Sequence, residues 1–431
     1  MNEHQTVGPL VRLHDYIDEH AAELTSVDLS APLEDLGPLG DLVGDARVVA
    51  LGESSHHVRE FYQLRHRMLR CLIEEHGFTT VVLEAPFTGA QVLDAWVRGG
   101  TGAVGAVASE GVAMSLGDVP ELHHTLDWIR SYNARRPSAP VRLFGADLPG
   151  SLGSPLPALL EVAPYLKQND PGCCGLLDRA IAISERFREP SMPTGELVSY
   201  PQLPEADRDA LTAALGALTA RMQRLADRQR ADGSSDQHIW ASHHLRGAWL
   251  VDQLHRSVVT DGIDEASTFR DLYMAETVHA LLEADPDSRL VLVAHNWHIR
   301  KSSETTDGAD LLPAGYHLAA SLGPDYCAIG LTARSGRTGI VDADALTGSG
   351  GFLFREGPLP EPEEAAIESA FPDNRLATLV DLRDVPETIA NDRTHPQMRM
   401  ADYFLDQPAF SSFDALLCVA DTSGTARTRR G

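Results

Sequence analysis

The chain has 431 residues, with 62 Asp and Glu against 36 Lys and Arg and a formal net charge of −26. That length buries a large core, as one elaborated domain or two. The charge argues against nucleic acid and against an anionic membrane surface, because both are held by basic patches. The five cysteines, Cys71, Cys173, Cys174, Cys327 and Cys418, are scattered, which argues against a disulfide framework or a CxxC metal site. The first twenty residues lack an apolar core of signal-peptide type, and no run approaches the ~18 apolar residues of a membrane span. The expected location is the cytoplasm.

Residues 1–45 read as a helical leader: a helix over Val11–Leu24, then a Pro- and Gly-rich connector. The next stretch, Ala46 to Phe87, organises the chain. A short apolar run, Val48–Leu51, stops at Gly52-Glu53-Ser-Ser-His56-His57. A helix is expected from Val58 to His76, and a second apolar run, Thr79–Leu83, stops at Glu84. Strand, turn, helix, strand is a βαβ unit, whose parallel strands end on the same side of the sheet. Ligands of open α/β sheets bind outside those ends, so Glu53, His56 and Glu84 are expected to meet.

Helices follow near Gly89–Val97 and Glu121–Tyr132, and a third buried run, Val141–Phe144, is closed by Asp147. From 155 to 284 strand signals vanish, and amphipathic patterns over Leu176–Phe187, Glu205–Arg230, Ile239–Val258 and Thr268–Leu282 suggest a helical insert forming a cap. Loops join them at Ser191–Gln202 and Ala231–Asp236. The strand pattern resumes at Arg289–Ala294 and ends in His295-Asn-Trp-His298. Further strands are expected at Tyr326–Leu331, Leu376–Asp381 and Ala415–Ala420, with a polar, frayed tail from Thr422. The fold expected is α/β: a mainly parallel sheet flanked by helices, its core formed by 46–154 and 285–421.

Four strands thus end in ionisable groups: Glu53, Glu84, Asp147 and His295. There is no GxSxG elbow (Ala113-Met-Ser115-Leu-Gly117 lacks the first glycine), no HExxH, no Walker loop and no GxGxxG. Serines such as Ser54 and Ser55 are common in turns. What remains is a histidine among carboxylates: an imidazole that takes a proton from water, with an acid that fixes its tautomer. Glu53, three residues before His56, is placed to do this. Arg65, about two and a half turns along the helix, is positioned to pair Glu84 or to hold an anionic transition state. His295 and His298 suit substrate contacts or a divalent metal shared with Glu53 or His56. Asp147 is either a supporting site group or the cap of the next helix. His123-His124 and His243-His244 lie in helical patterns and read as packing or surface residues.

Leu51-Gly-Glu53-Ser-Ser-His56, then Gly77-Phe78 with a strand ending in Glu84, then Ala294-His295-Asn-Trp-His298 resemble the erythromycin esterase family, whose hallmarks are a GExxHG turn, a GF-strand-E element and a late AHNxH strand end. Phe144–Asp147 and Arg270–Ala275 also resemble family segments. The resemblance spans about 46–420 and takes in the macrolide esterases and the succinoglycan-biosynthesis-like proteins. It implies that His56 is the general base, Glu53 its neighbouring acid, Arg65 and Glu84 supporting polar groups, and His295 and His298 the opposite wall. It also implies hydrolysis of a macrolactone without a covalent intermediate, an antibiotic-resistance chemistry. The sequence departs from the pattern at His57, where the family has glycine. A glycine there permits positive φ or a close backbone approach, whereas an imidazole adds a base and a candidate substrate contact.

The leading expectation is a non-serine hydrolase that opens a bulky ester, lactone or polyketide by His/Glu-activated water, with no cofactor beyond a divalent metal at the His/Glu cluster. Two rivals stand beside it. One is an enzyme of secondary metabolism (cyclase, lyase or acyl transferase) using the same groups. The other is a metal- or haem-binding module built from His56, His57, His295 and His298.

Overall fold

The computed structural model of the protein describes residues 9–112, 116–188, 199–231, 235–260, 263–306, 309–341, 354–390, 396–425 and 429–430. The first part of the chain gives α1 (Pro9–His20), β1 (Ala22–Leu24), α2 (Gly37–Val43), β2 (Val48–Leu51), α3 (Arg59–Glu74), β3 (Thr80–Pro86), α4 (Gln91–Val97), α5 (Val104–Gly111), α6 (Pro120–Arg135) and β4 (Arg142–Asp147). Among the described residues there follow α7 (Leu156–Asn169), α8 (Cys174–Arg186), α9 (Glu205–Ala231), α10 (Ser235–Thr260) and α11 (Ile263–Ala284). The chain then returns to the sheet with β5 (Leu290–Val293), α12 (Asn296–Ile299), the ribbon β6 (Glu304–Thr306) and β7 (Ala309–Leu311), and α13 (Ala314–Leu322). It closes with β8 (Tyr326–Val341), β9 (Phe354–Pro358), β10 (Ala377–Asp381), the hairpin β11 (Gln397–Met400) and β12 (Tyr403–Asp406), and β13 (Ala415–Thr422).

The main path of the sheet runs β1-β10-β13-β8-β2-β5-β3-β4. From β13 to β4 every neighbour is parallel; near the other edge β10 alone on this path is reversed, pairing antiparallel with both β13 and β1. The strands read as continuous apolar runs because both faces are covered. Val49, Leu51, Val81, Leu83 and Val291 point into a core shared with α2 to α6, while Val48, Ala50, Val82, Leu290 and Leu292 point into one shared with α1, α11 and α13. The late strand β5 lies between β2 and β3. Sequence order alone would make β2 and β3 neighbours; the observed order sets the end of β5, at His295, between Glu53 and Glu84.

Helices α7 to α10 enclose a core of their own, with Leu159, Leu177, Leu215 and Leu245 among its residues. A smaller cluster including Phe87, Leu148, Leu250 and Tyr273 joins it to the strand ends. Helix α11 instead lies on the sheet through Met274, Ala275, Val278 and Leu282, which brings Arg270 and Asp271 to the strand ends. Most of the loop expected at 191–202, part of that at 231–236, and Ala113-Met-Ser115 lie outside the described residues.

Two ends of the chain differ from expectation. The leader helix stops at His20, and Ala22–Leu24 pairs with β10 as an edge strand, because burying Leu24 in the α2–α6 core draws the chain past the sheet edge. The expected frayed tail is pinned through Thr425: Ser423 donates from its amide to Glu60 at 2.7 Å, and the Thr425 amide to the His57 carbonyl at 2.9 Å.

Gly52 is required by space. A Cβ there would lie 1.9 Å from Asn296 Oδ1. The Asn296 amide needs that position: its Nδ2 donates to the Leu331 carbonyl at 2.8 Å, and its Oδ1 accepts from the Leu331 amide at 3.2 Å, so it extends β8 as a strand would. Overpacking costs ~1–3 kcal/mol, and a displaced buried amide about as much again. Gly52→Ala is therefore expected to lower the free energy of unfolding by about 2–5 kcal/mol, read from urea titrations followed by far-UV circular dichroism.

Candidate active site

The site straddles the carboxyl edge of the sheet in two halves. On the α3 side, β2 ends and the turn brings Glu53 under His56. His56 Nδ1 donates to Glu53 Oε1 at 2.8 Å, and Arg65 Nη2 lies 2.7 Å from Glu53 Oε2. Burial works against the Glu53 charge, but Arg65 and then His56 outweigh it and hold the carboxyl below its ordinary range. Burial likewise disfavours charged His56, yet its bond to Glu53 and the field of Glu84 leave the imidazole raised above 6.5. Its Nε2 has no hydrogen-bond partner among the described residues and is not sealed from solvent. The sequence placed Arg65 either against Glu84 or at an anionic transition state; it pairs with Glu53, while the Glu84 carboxylate is turned to Arg270 and His298 on the opposite face of the sheet.

On that opposite face α11 supplies a buried cation. Arg270 donates from Nε to both oxygens of Asp147 at 3.0 Å, from Nη2 to Asp147 at 2.7 Å and to Glu84 Oε1 at 2.8 Å, and from Nη1 to His298 Nε2 at 2.9 Å. His298 Nδ1 donates to Asp271 Oδ1 at 2.7 Å, which also accepts the Ala314 amide at 2.9 Å. Burial opposes the His298 charge, but Asp271 and Glu84 prevail over Arg270 and raise the imidazole to about 9. With the second proton bound, His298 Nε2–H turns to Glu84 Oε1, 3.4 Å away. Against the opposition of burial, His298 and then Arg270 hold Glu84 well below the usual carboxylate range. Of the two readings of Asp147, a supporting site group or a helix cap, its side chain takes the first place, holding Arg270, and that ion pair occupies the carboxylate that would otherwise be offered to a substrate.

His295 joins the halves. Its amide donates to Glu84 Oε2 at 2.7 Å, and its ring meets that of His56 edge-on, 5.3 Å between centroids. Nε2 donates to the Ser54 carbonyl at 3.1 Å and Nδ1 accepts from the Trp297 amide at 3.1 Å. Both nitrogens of the neutral ring are engaged, and burial, then His56, push the group down to about 4. The Ser54 carbonyl is itself fixed by the Ala401 amide at 2.7 Å, from a turn residue with φ of +50°.

A model of the erythromycin esterase family matches residues 73–422. The chain belongs to the erythromycin esterase family. Erythromycin esterase type II of Escherichia coli is 28% identical over 399 residues, which covers 90% of this chain and 93% of that protein. Among solved structures, the erythromycin esterase EreC, crystallised as a histidine-to-asparagine variant in its open conformation, aligns with a TM-score of 0.79 at 23% identity, over 94% of this chain and 98% of that one. A succinoglycan biosynthesis protein aligns with a TM-score of 0.78 at 19% identity, over 98% of this chain and 99% of that one. At these identities the structures share the fold.

The family's glycine position is informative here. His57 has φ of +62°, the left-handed conformation that glycine adopts without strain. Its ring turns away from the strand ends and packs on Phe354, 4.0 Å between centroids. Both ring nitrogens are buried without partners, and burial, then His56, push the group down to about 4. His57 is therefore a packing residue and not the substrate contact expected. Nor do the four histidines gather as metal ligands: His57 faces elsewhere and both His295 nitrogens are engaged. Among the described residues, the group whose ligand atoms lie within 4.8 Å of one another is Cys71, Glu75 and His76, at the far end of α3.

Sequence reasoning did not assign Arg270 or Asp271. The segment Arg270–Ala275 carried a family likeness, and an Arg-Asp pair interrupting an otherwise apolar helix face was the available signal.

Two outcomes follow from the buried histidines. At φ of +62° a Cβ is strained by ~1 kcal/mol, so His57→Gly is expected to be more stable than His57→Ala by about that amount in urea titrations. Six buried histidines, 57, 66, 244, 255, 295 and 243, are pushed down to about 4 or, for His243, about 3. Such groups stay neutral in the folded chain and protonate near 6.5 when it unfolds. Their contribution to stability is therefore full above 6.5 and falls as pH drops from 6.5 towards 4. At pH 5 unfolding takes up roughly five protons at these histidines, measurable as the slope of the unfolding free energy against pH.

Proposed function

We propose that this member of the erythromycin esterase family hydrolyses the ester bond of a bulky lactone of macrolide type, with water activated by His56. One observation carries the reading: His56 Nδ1 is tied to Glu53 at 2.8 Å while Nε2 is left open, which is the arrangement of a general base with a fixed tautomer. No serine or cysteine among the described residues hydrogen-bonds the His56 ring; Ser55 Oγ reaches only the His56 backbone carbonyl, at 3.3 Å. Ser55 Oγ is instead paired with Thr338 Oγ1 at 2.5 Å.

The chemistry divides between the halves. His56 Nε2 takes a proton from water as its oxygen attacks the ester carbonyl, and Glu53 stabilises the imidazolium that forms. Arg65 stands beside this pair as the cation nearest the developing oxyanion. His298, raised to about 9, is protonated near neutrality and supplies a proton to the departing alkoxide, with Arg270 supporting charge on Glu84. Both imidazoles are raised above 6.5; the open Nε2 of His56 assigns it as base, and the place of His298 between Asp271 and Glu84 assigns it as acid. No step draws on a cofactor, and elemental analysis of protein purified without added metal checks that part of the reading.

Incubation with a panel of 14-membered macrolides in oxygen-18 water is expected to give a product heavier by one labelled water. Consumption without label would instead favour a biosynthetic lyase or transferase. With a substrate in hand, His56→Ala is expected to lower kcat by about 10²–10⁴, and full retained activity would remove His56 from the role. kcat/KM is expected to follow a bell: it rises as His56 loses its proton above 6.5 and falls as His298 loses its own near 9. Glu53→Gln removes a negative charge beside His56, so the rising limb moves to lower pH. A limb unmoved by that change would exclude His56 as the titrating base.

A further inference from the structure

A cavity of about 60 Å³ opens beneath the α3 half of the site. It is lined at one end by Glu53, Glu84, Arg65 and Tyr62. From Tyr62 to Leu69 is seven residues of α3, ~10 Å of helix, so the cavity reaches well below the strand ends. Its walls there are apolar: Leu69, Leu83, Val112 and Leu122 all line it. The polar residues of the deep lining, His66 and Thr125, bond to each other at 3.0 Å. The deep lining is mostly apolar, while Glu53 of the reacting centre stands at the mouth.

We propose that this cavity seats a short aliphatic branch carried by the substrate next to its ester bond. The inference rests on the hydrolase reading and narrows it to a substrate class: esters or lactones branched beside the scissile bond. Size sets the limit. An apolar cavity of ~150 Å³ accepts benzene; one of about 60 Å³ has room for about two or three carbons. A branch of that length fills the cavity and draws the ester down onto Glu53 and His56. A hydrogen leaves it unfilled, and a phenyl ring does not enter.

The test is a homologous series of macrolactones whose branch runs from hydrogen through methyl, ethyl, propyl and butyl to phenyl, placed on the acyl carbon in one set and on the alkoxy carbon in the other. In one of the two sets kcat/KM is expected to climb about tenfold per carbon, peak at ethyl or propyl, and fall at butyl and phenyl. Leu122→Ala enlarges the cavity and moves the peak to a longer branch; Leu122→Phe fills it and moves the peak to methyl or hydrogen. Since the readout is a ratio between substrates, it survives partial loss of activity in either variant. A flat series, or a peak that neither variant moves, overturns the assignment.

Binding separates this inference from the hydrolase reading. Xenon enters apolar cavities, so its NMR shift is expected to saturate with the wild-type protein and not with Leu122→Phe, and ethyl- or propyl-branched lactones are expected to displace it. Displacement without hydrolysis would remove the hydrolase reading and keep the cavity as a branch site. Hydrolysis with no displacement and a flat series would do the reverse.

Discussion

The buried guanidinium of Arg270 is the interaction on which the site depends. Glu84, Asp147 and Asp271 crowd the α11 face of the strand ends, and a cation among them offsets the mutual repulsion of so many buried acidic groups. Arg270 satisfies Asp147 from two nitrogens and Glu84 from a third contact; its Nη1 donates to His298 Nε2 only in the neutral form of that ring. A lysine could not, since only the planar fork presents donors in those directions at once. Charge therefore alternates along a chain of groups, Asp147, Arg270, Glu84, His298, Asp271. A shorter chain, Arg65, Glu53, His56, lies across the sheet edge. His295 couples the two through its backbone amide and its ring, without carrying charge.

This division gives the two sides of the cleft different chemistry from the same residue type. His56 is partly open, with one carboxylate at its back and a guanidinium beyond it. His298 is buried between two carboxylates. His295, equally buried but bonded only to backbone groups, is held neutral. Carboxylate partners thus raise His56 and His298, while backbone partners leave His295 pushed down by burial.

The strand ends were legible because acidic and imidazole groups closing fully apolar runs have few structural explanations. Glu53, Glu84, Asp147 and His295 were all found that way, and all lie at the strand ends. Partnership was not legible. Whether Arg65 meets Glu53 or Glu84 depends on which face of the sheet each strand-end residue takes, and an apolar run buried on both sides carries no alternation to show it. Arg270 and Asp271 were hidden for a related reason: periodicity shows that α11 is a helix but not that it leaves the helical insert to lie on the sheet. His57 carried a visible anomaly, a histidine in a glycine position, but only the backbone torsion shows that the turn kept its shape and turned the new ring into the core. The late segments that hold the motif turn, Ala401 against Ser54 and Thr425 against His57, have no motif of their own.

The place of β5 between β2 and β3 has a consequence for how the molecule is made. Some 200 residues separate β3 from the strand that fills the gap beside it. Until those residues leave the ribosome, β2 lacks both of its partners and β3 one of its two, so apolar strand edges stand open during much of synthesis. Pairings this distant are slow to close and vulnerable to association while they wait. The helices of the insert, whose contacts are local, can gather first. The candidate site is then late to form: His295 arrives with β5, which bridges β2 and β3, and β8 must still follow before β2 has both partners.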